Sequence, residues 1–272
     1  MGYATRVALW NKSHQCPEFQ TDYRVNASIY NHGKGRTRLV ENLGTVVADA
    51  HLVIDCAPFE SSYGDSVIVF HLIPTRYAGR PTIDIARGEM MSLLGQQDHF
   101  VEYYREDGCA AGVLYATGPF NHPNFSTSSL TLIQAPKYYV SSTVDSILSV
   151  VNGSPDCDYD RVAHLQLTLA GDGVRHTWTE DIPAFVPRSI SVREKLEQCG
   201  VAIGASPRFV CLYGLCDNAV LVPLTIVSNL ETGAIGVEHS LPPDYYSPTA
   251  RGPARARIAA QLTKSSLFEV RR

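Results

Sequence analysis

Leu165-Gln166-Leu167-Thr168-Leu169 alternates without a break between apolar and polar side chains, and Gly171-Asp172-Gly173 follows it. Successive side chains of a β-strand point to opposite faces of the sheet, so this alternation is typical of a strand with one buried face. Glycine and aspartate in succession are a turn signal that ends the strand. The stretch therefore predicts one strand of an antiparallel sandwich rather than part of a strand–helix–strand sheet.

Short β-branched or alternating runs recur along the chain between clusters of Gly, Pro, Asn and Asp. They cover residues 28–30, 52–55, 67–73, 130–133 and 219–222. Many short strands separated by turn signals predict an all-β protein made of antiparallel sandwiches. Two segments favour a helix instead: residues 191–198, which precede Gly200, and the C-terminal tail.

The composition is that of an ordinary folded chain long enough for two domains: 272 residues, 44% hydrophobic and 18% charged. The net charge of −4 gives no reason to expect a nucleic-acid partner. The sequence contains no apolar run long enough for a transmembrane helix, and its start lacks the pattern of a secretory signal. We therefore expect a cytoplasmic protein without a transmembrane segment.

Seven cysteines, an odd number, are scattered without a C-x-x-C pair, and no pair of histidines has metal-ligand spacing. The sequence also lacks a Walker loop, a dinucleotide-binding loop, an H-E-x-x-H zinc motif and a G-x-S-x-G hydrolase motif. We accordingly expect neither a metal nor a cofactor.

Ordered similarities at nearly constant spacing predict that the chain is internally duplicated. The matched segments are residues 81–85 with 188–192, 99–104 with 208–213, 110–115 with 218–223, and 134–139 with 241–246.

From these matches we expect two tandem β-sandwich domains, residues 20–137 and 138–248. Residues 1–19 would form a separate N-terminal segment. Phe100 corresponds to Phe209 in this alignment, and both rings are expected to fill the same layer of their domain's core.

The tail, residues 249–272, differs in composition from the rest of the chain. Residues 251–272 contain six basic residues and one acidic residue, a net charge of +5. Apolar side chains at Ile258, Leu262 and Phe268 recur at roughly helical spacing. We expect a short amphipathic helix that packs on its own domain or across a dimer; binding to a membrane surface is the alternative.

Residues 31–38 form a Gly-rich basic segment after a predicted strand. Glycine lets the backbone form an anion-binding nest, for which Lys34, Arg36 and Arg38 would supply the charge. An exposed hairpin turn with solubilising charges is the alternative interpretation.

The long polar segment of residues 117–126 is the first candidate for a ligand site. Phe120 could stack on a sugar or another small ligand, while Asn121 and His122 could form hydrogen bonds with it. Glu238 and His239 offer a second set of groups suited to binding or acid–base chemistry, because histidine titrates near neutral pH.

Several segments of the second half resemble the sensory-rhodopsin-transducer family. They are residues 149–153, with an Asn-Gly turn, residues 162–167, residues 182–190, residues 226–229, which contain Ser228-Asn229, and residues 237–240, which contain Val237-Glu238-His239. The resemblance implies a cytoplasmic, oligomerising β-sandwich that acts by binding a membrane partner or a small ligand.

Together these observations predict a non-enzymatic binding or assembly module that forms a homo-oligomer and binds a small molecule or a protein partner. The alternative is an enzyme whose pocket lies at one end of the sandwich and uses His122 and residues around His239.

Overall fold

The structure is a computed structural model that describes residues 3–11, 22–31, 35–59, 66–77, 79, 97–117, 121, 131–133, 137–154, 156 and 158–239. The described part of the chain is all-β, with a short helix, as predicted. Every pair of neighbouring strands in its sheets is antiparallel, which also agrees with the turn signals in the sequence.

Seven strands make up the first half: β1 (Ala4–Trp10), β2 (Tyr23–Asn31), β3 (Gly35–Val46), β4 (His51–Asp55), β5 (Ser66–Pro74), β6 (Gln97–Tyr104) and β7 (Ala110–Thr117). They form two sheets, with strand orders β4-β1-β6-β7 and β3-β2-β5. Alternate residues of β1, Val7 and Leu9, pack with Tyr23, Val25 and Leu72 of the other sheet in one buried core. The first half is therefore a β-sandwich.

The second half contains β8 (Thr131–Ile133), β9 (Lys137–Val140), β10 (Val144–Val151), β11 (Ala163–Gly171), β12 (Val174–Ile182), β13 (Pro187–Ser191), helix α1 (Val192–Gln198), β14 (Arg208–Cys216), β15 (Val222–Asn229) and β16 (Ile235–Glu238). One sheet has the order β13-β10-β15-β16. The other has the order β12-β11-β14, and both β8 and β9 pair with the free side of β14.

The alternation of apolar and polar side chains at residues 165–169 fixes how β11 lies in the second sandwich. Leu165, Leu167 and Leu169 are fully buried, and they pack with Leu148 and Val150 of the opposite sheet. The β11–β12 hairpin closes through a two-residue turn at 172–173, in which both residues have positive φ angles, 51° and 78°. This geometry matches the twist of paired strands, and it is why glycine follows aspartate here.

Helix α1 confirms the helix predicted at residues 191–198. The Ser191 side chain accepts a hydrogen bond of 3.0 Å from the Glu194 backbone N–H, which satisfies a group that the first helical turn leaves open. Gly200 follows the helix with a φ of 76°, a conformation that favours glycine. The helix predicted in the C-terminal tail lies outside the described residues.

The two halves repeat one connectivity. If each strand number of the first half is raised by nine, the orders β4-β1-β6-β7 and β3-β2-β5 become β13-β10-β15-β16 and β12-β11-β14, which are the orders observed. The matches found in the sequence align β6 with β14. The connectivity instead makes β15 the counterpart of β6 in the second half. That alignment is therefore wrong, and descent of the halves from one ancestor stays a prediction.

The strand pairing also places the limits of the halves elsewhere than the sequence suggested. β1, which belongs to the segment expected to stand apart as residues 1–19, lies between β4 and β6 inside its sheet. Thr131–Ile133 pairs with β14, so it belongs to the second half. The second half therefore begins before residue 138.

The corresponding edge strands β7 and β16 lie next to each other, and this is one contact between the halves. Beside it the Tyr3 hydroxyl donates a hydrogen bond to the Gly233 carbonyl, and the Arg105 guanidinium lies 3.5 Å from the Thr232 carbonyl oxygen. A second contact joins Tyr30 of β2 to Phe185 of the β12–β13 loop.

Candidate functional site

The outer face of the sheet β4-β1-β6-β7 carries an apolar row that crosses all four strands. Val53 pairs with Ala8, Ala8 with Phe100, and Phe100 with Leu114. These four residues define the first-half face. Val53 is 50% exposed, Phe100 36% and Leu114 51%, although each is a large apolar side chain. Contiguous exposed apolar side chains mark interaction sites far more often than isolated ones do.

Phe100 lies flat on this face because Gly112 leaves room for it. The two residues are diagonal neighbours on β6 and β7, and a Cβ atom at position 112 would collide with the phenyl ring, 2.9 Å from both Cε1 and Cε2. The absence of a side chain at Gly112 therefore lets the ring cover the neighbouring strand. The result is a level apolar surface rather than a protruding ring.

Trp10 extends the apolar surface on one side of the row. It is exposed, and its indole ring packs beside His51 with ring centroids 5.8 Å apart. Trp10 and His51 are paired residues of β1 and β4. They lie two residues further along their strands than Ala8 and Val53 do.

On the other side of the apolar row lies a charged row. Arg6 is paired with Asp55 on one neighbouring strand and with Glu102 on the other. Its guanidinium forms a 2.8 Å ion pair with Glu102 and lies 4.3 Å from the centre of the Tyr104 ring. The Tyr104 hydroxyl in turn donates a 2.9 Å hydrogen bond to Asp55. Acidic and basic groups thus alternate along this row.

Hydrogen bonding keeps Asp55 ionised. The backbone N–H of Ala57 and then the Tyr104 hydroxyl lower the pKa of the Asp55 carboxyl, because both donate to its charged form. The same bond raises the pKa of the Tyr104 hydroxyl. Asp55 therefore carries a negative charge at neutral pH.

The sequence did not predict this face. Phe100 was assigned to a core, and that assignment is wrong, as is the one for Phe209, which is 64% exposed. The β6 run has apolar residues on both sides of the strand, at Phe100 and Val101, so its pattern does not tell which side is buried. Phe100 would be buried only if another layer of the protein covered the outer face of β6, and the described residues do not supply such a layer.

Asn121 is a buried connector, because its side chain links its own segment to Gly153 and Val220 of the second half. Its side-chain amide donates 2.8 Å hydrogen bonds to the carbonyls of Gly153 and Val220, and its side-chain oxygen accepts one from the Val220 N–H, also at 2.8 Å. Both amide hydrogens are thus engaged with the second half, and the side chain is buried, so Asn121 is not exposed to a ligand in this arrangement. Phe120 and His122, the other residues predicted in this site, lie outside the described residues.

Glu238 and His239 are exposed at the end of β16. Because His122 lies outside the described residues, the pocket predicted to combine it with His239 stays a prediction.

The strands on either side of residues 32–34, β2 and β3, pair with each other. Asn31 of β2 pairs with Gly35 of β3, and Arg36 and Arg38 belong to β3. Lys34 lies outside the described residues, and the proposed anion site stays a prediction.

A hydroxyl–imidazole pair that the sequence patterns did not predict joins β2 and β5. The Ser28 Oγ and His71 Nε2 atoms are 2.8 Å apart, the distance expected between a nucleophile and its base. However, Ser28 is 2% exposed and His71 6%, so a substrate cannot reach the hydroxyl in this arrangement. Polar residues inside the apolar runs of β2 and β5 were the signal that could have revealed the pair.

Within the described residues, no three His, Cys, Asp or Glu side chains come together as a metal site would require. In that same part of the chain, no helix has the length and apolar character needed to cross a bilayer.

A scan against protein-family models matches no family, and a search of curated proteins finds no match. The resemblance to the sensory-rhodopsin-transducer family therefore stays a prediction.

Proposed function

We propose that this protein is a non-enzymatic assembly module and that its first-half face binds the same face of a second copy of the chain. The observation that carries the proposal is the exposed apolar row of Val53, Ala8, Phe100 and Leu114. Leaving these side chains in water is unfavourable, and burying them against a partner removes that cost.

The shape of the face suits a sheet as its partner. Because Phe100 lies over Gly112, the apolar row is level with the sheet. β-Sheets pack face to face at about 10 Å through the side chains of their facing surfaces. A second copy presents the same level surface.

The charges favour a second copy over a partner of strongly acidic or basic character. Arg6 is already paired with Glu102 within the chain, so the row needs no outside counter-charge. A symmetric dimer places a surface against itself, which a patch of one sign would oppose by repulsion. A row in which both signs alternate avoids this repulsion.

The sensory-rhodopsin-transducer resemblance supports the same class of function, since it implies an oligomerising sandwich that acts by binding. A cytoplasmic location is part of this proposal.

Sedimentation velocity of the full chain, over a range of concentrations, tests the proposal. We expect wild type to form a dimer and Val53→Glu to be a monomer, because the substitution places a charge inside the apolar row. Val162→Glu is the matched control, since Val162 is also exposed, at 38%, but lies in the second half before β11. A monomeric wild type, or a Val53→Glu variant that keeps the wild-type mass, would contradict self-assembly through this face.

A further inference from the structure

β12 is an edge strand of its sheet, and it is more regular than the strand that takes the same place in the first half. β12 pairs with β11 through nine residues without a shift in register. Its counterpart β3 pairs with β2 through two register shifts. Bulges of that kind hinder an edge strand from pairing with another chain. The straight edge of β12 is open to such pairing.

The turn at residues 172–173 decides which backbone groups of β12 face this edge. A two-residue turn is closed by a pair that exchanges hydrogen bonds, here Gly171 and Val174. Because such pairs alternate along an antiparallel ladder, the even-numbered residues of β12 bond to β11 and the odd-numbered residues point outwards. Thr177 and Thr179 are exposed, and their backbone groups have no hydrogen bond within the described part of the chain. They offer donors and acceptors to another strand.

The order of side chains along β12 is complementary to itself. Residues 174–182 read V-R-H-T-W-T-E-D-I, so two basic residues precede Trp178 and two acidic residues follow it. Two copies of this strand can run antiparallel with Trp178 opposite Trp178. The other opposed pairs are then Arg175 with Asp181, His176 with Glu180, and Thr177 with Thr179. Opposite charges on directly opposed residues stabilise a pair of strands.

The backbone favours the same register. Trp178 bonds to β11, so two opposed Trp178 residues form a non-hydrogen-bonded pair, in which side chains approach closely and aromatic rings pair well. Thr177 and Thr179 then exchange both of their hydrogen bonds across the two-fold axis. Asp181 remains accessible to a second copy, because its side chain is 71% exposed although His164 lies 2.7 Å away.

We infer that β12 pairs antiparallel with β12 of a second copy of the chain, about a two-fold axis at Trp178. Parallel pairing in register would place Arg175 beside Arg175, which repulsion opposes. An antiparallel register shifted by two residues would separate Arg175 from Asp181. The charges therefore select one direction and one register, and the strand that complements β12 is β12 itself.

This edge is separate from the first-half face, so one chain can bind two other copies. Pairing through the edge joins dimers into larger assemblies. It buries less apolar surface than contact between two faces does. We therefore expect it to need a protein concentration about tenfold or more higher than dimer formation through the first-half face.

Sedimentation velocity of the full chain carrying Val53→Glu tests the edge without a contribution from the first-half face. This variant, a monomer where the wild type is a dimer, should dimerise when its concentration is raised about tenfold or more further. Adding Arg175→Asp should weaken that association about tenfold or more, because acidic side chains then oppose each other. Adding Asp181→Arg instead should weaken it as much, because basic side chains then oppose each other.

An equimolar mixture of these two charge variants should regain the association, since each chain supplies the charge that the other lacks. Lys137→Asp in the same background is the control for loss of a basic charge, because Lys137 is exposed on β9 at the opposite edge of the sheet. Circular dichroism shows whether each variant is folded.

A Val53→Glu variant that stays a monomer up to about 1 mM, a weak affinity for any specific contact, overturns the inference. So does a charge variant that associates as tightly as its parent, or a mixture that associates no better than its components. Every comparison is between chains that share Val53→Glu. The result therefore does not depend on whether the first-half face assembles.

Discussion

The rings of Tyr30 and Phe185 stack face to face between the two halves of the chain, with centroids 3.6 Å apart and planes 4° from parallel. Both residues are buried, and Phe185 has a φ of 57°. Few residues with a bulky side chain adopt that left-handed conformation without support from their surroundings. The Phe185 N–H also donates a 2.7 Å hydrogen bond to the Asn152 carbonyl, which helps to hold the loop in place.

Replacing Tyr30 with Ala should therefore weaken the whole molecule. We expect a loss of about 3–5 kcal/mol in the free energy of unfolding, the range for a large buried aromatic side chain. Urea unfolding followed by circular dichroism measures it. Phe209→Ala is the control, because a ring that is 64% exposed should change stability by less than about 0.5 kcal/mol. Equal losses in the two variants would show that the stack does not stabilise the contact.

Asn121→Ala should also destabilise the protein, since it removes the partners of the Gly153 carbonyl and both backbone groups of Val220. A buried backbone group without a partner costs about 1–3 kcal/mol. Asn121 has a φ of 56°, which alanine tolerates poorly and glycine accepts. We therefore expect Asn121→Gly to unfold at a higher urea concentration than Asn121→Ala, and both to unfold below wild type. A wild-type midpoint for either would contradict the role of Asn121 as a connector.

Gly112→Ala tests the level surface of the first-half face without adding charge. The new methyl group must push the Phe100 ring away from the sheet, because the ring occupies that space. We expect the dimer to dissociate about tenfold more easily, equivalent to about 1.4 kcal/mol, in sedimentation velocity. Gly236→Ala on β16, where a Cβ would meet nothing within 4 Å, is the matched control. The same dissociation constant for both variants would exclude this role of Gly112.

The Asp107 carboxyl should titrate far below its usual range. Its hydrogen bonds with the Arg105 guanidinium, and then with the Cys109 N–H, lower its pKa from 3.8 to about 2. Because the folded pKa is lowered, this interaction stabilises the fold above the ordinary pKa of the carboxyl and is lost as the pH falls through about 2. In Arg105→Ala we expect the pKa of Asp107 to move up towards 3.8, as read by carboxyl ¹³C NMR. An unchanged pKa in that variant would assign the shift to the Cys109 N–H alone.

Local patterns predicted local structure well. The alternation of residues 165–169 gave the buried face of β11, and the Asp172-Gly173 pair gave its turn. Ser191 and Gly200 marked the two ends of α1. Each of these features depends on neighbours within a few residues, so the sequence contains the whole cause.

Relationships across the chain were harder to predict. Short strands of similar composition align easily in the wrong order, which is why β6 was matched to β14 instead of β15. The exposure of side chains was predicted wrongly for a related reason. Phe100 and Phe209 are of a residue type typical of cores, and their exposure becomes evident only when the layer next to them is known. Asn121 could not be identified as a connector, because its partners at Gly153 and Val220 are distant in sequence.

The position of β1 sets the order in which the first half can form during synthesis. β1 is made before the other strands of its sheet, yet its hydrogen-bonding partner on one side is β6, and Arg6 and Glu102 are 96 residues apart. While the ribosome is still making the intervening residues, that side of β1 has no partner from its own sheet. Pairing over such a distance is slow, because closing a long loop costs conformational entropy before any contact between the two strands can form. The newly made chain therefore carries an open, apolar strand until β6 has emerged, and this interval is when it most needs protection from neighbouring chains.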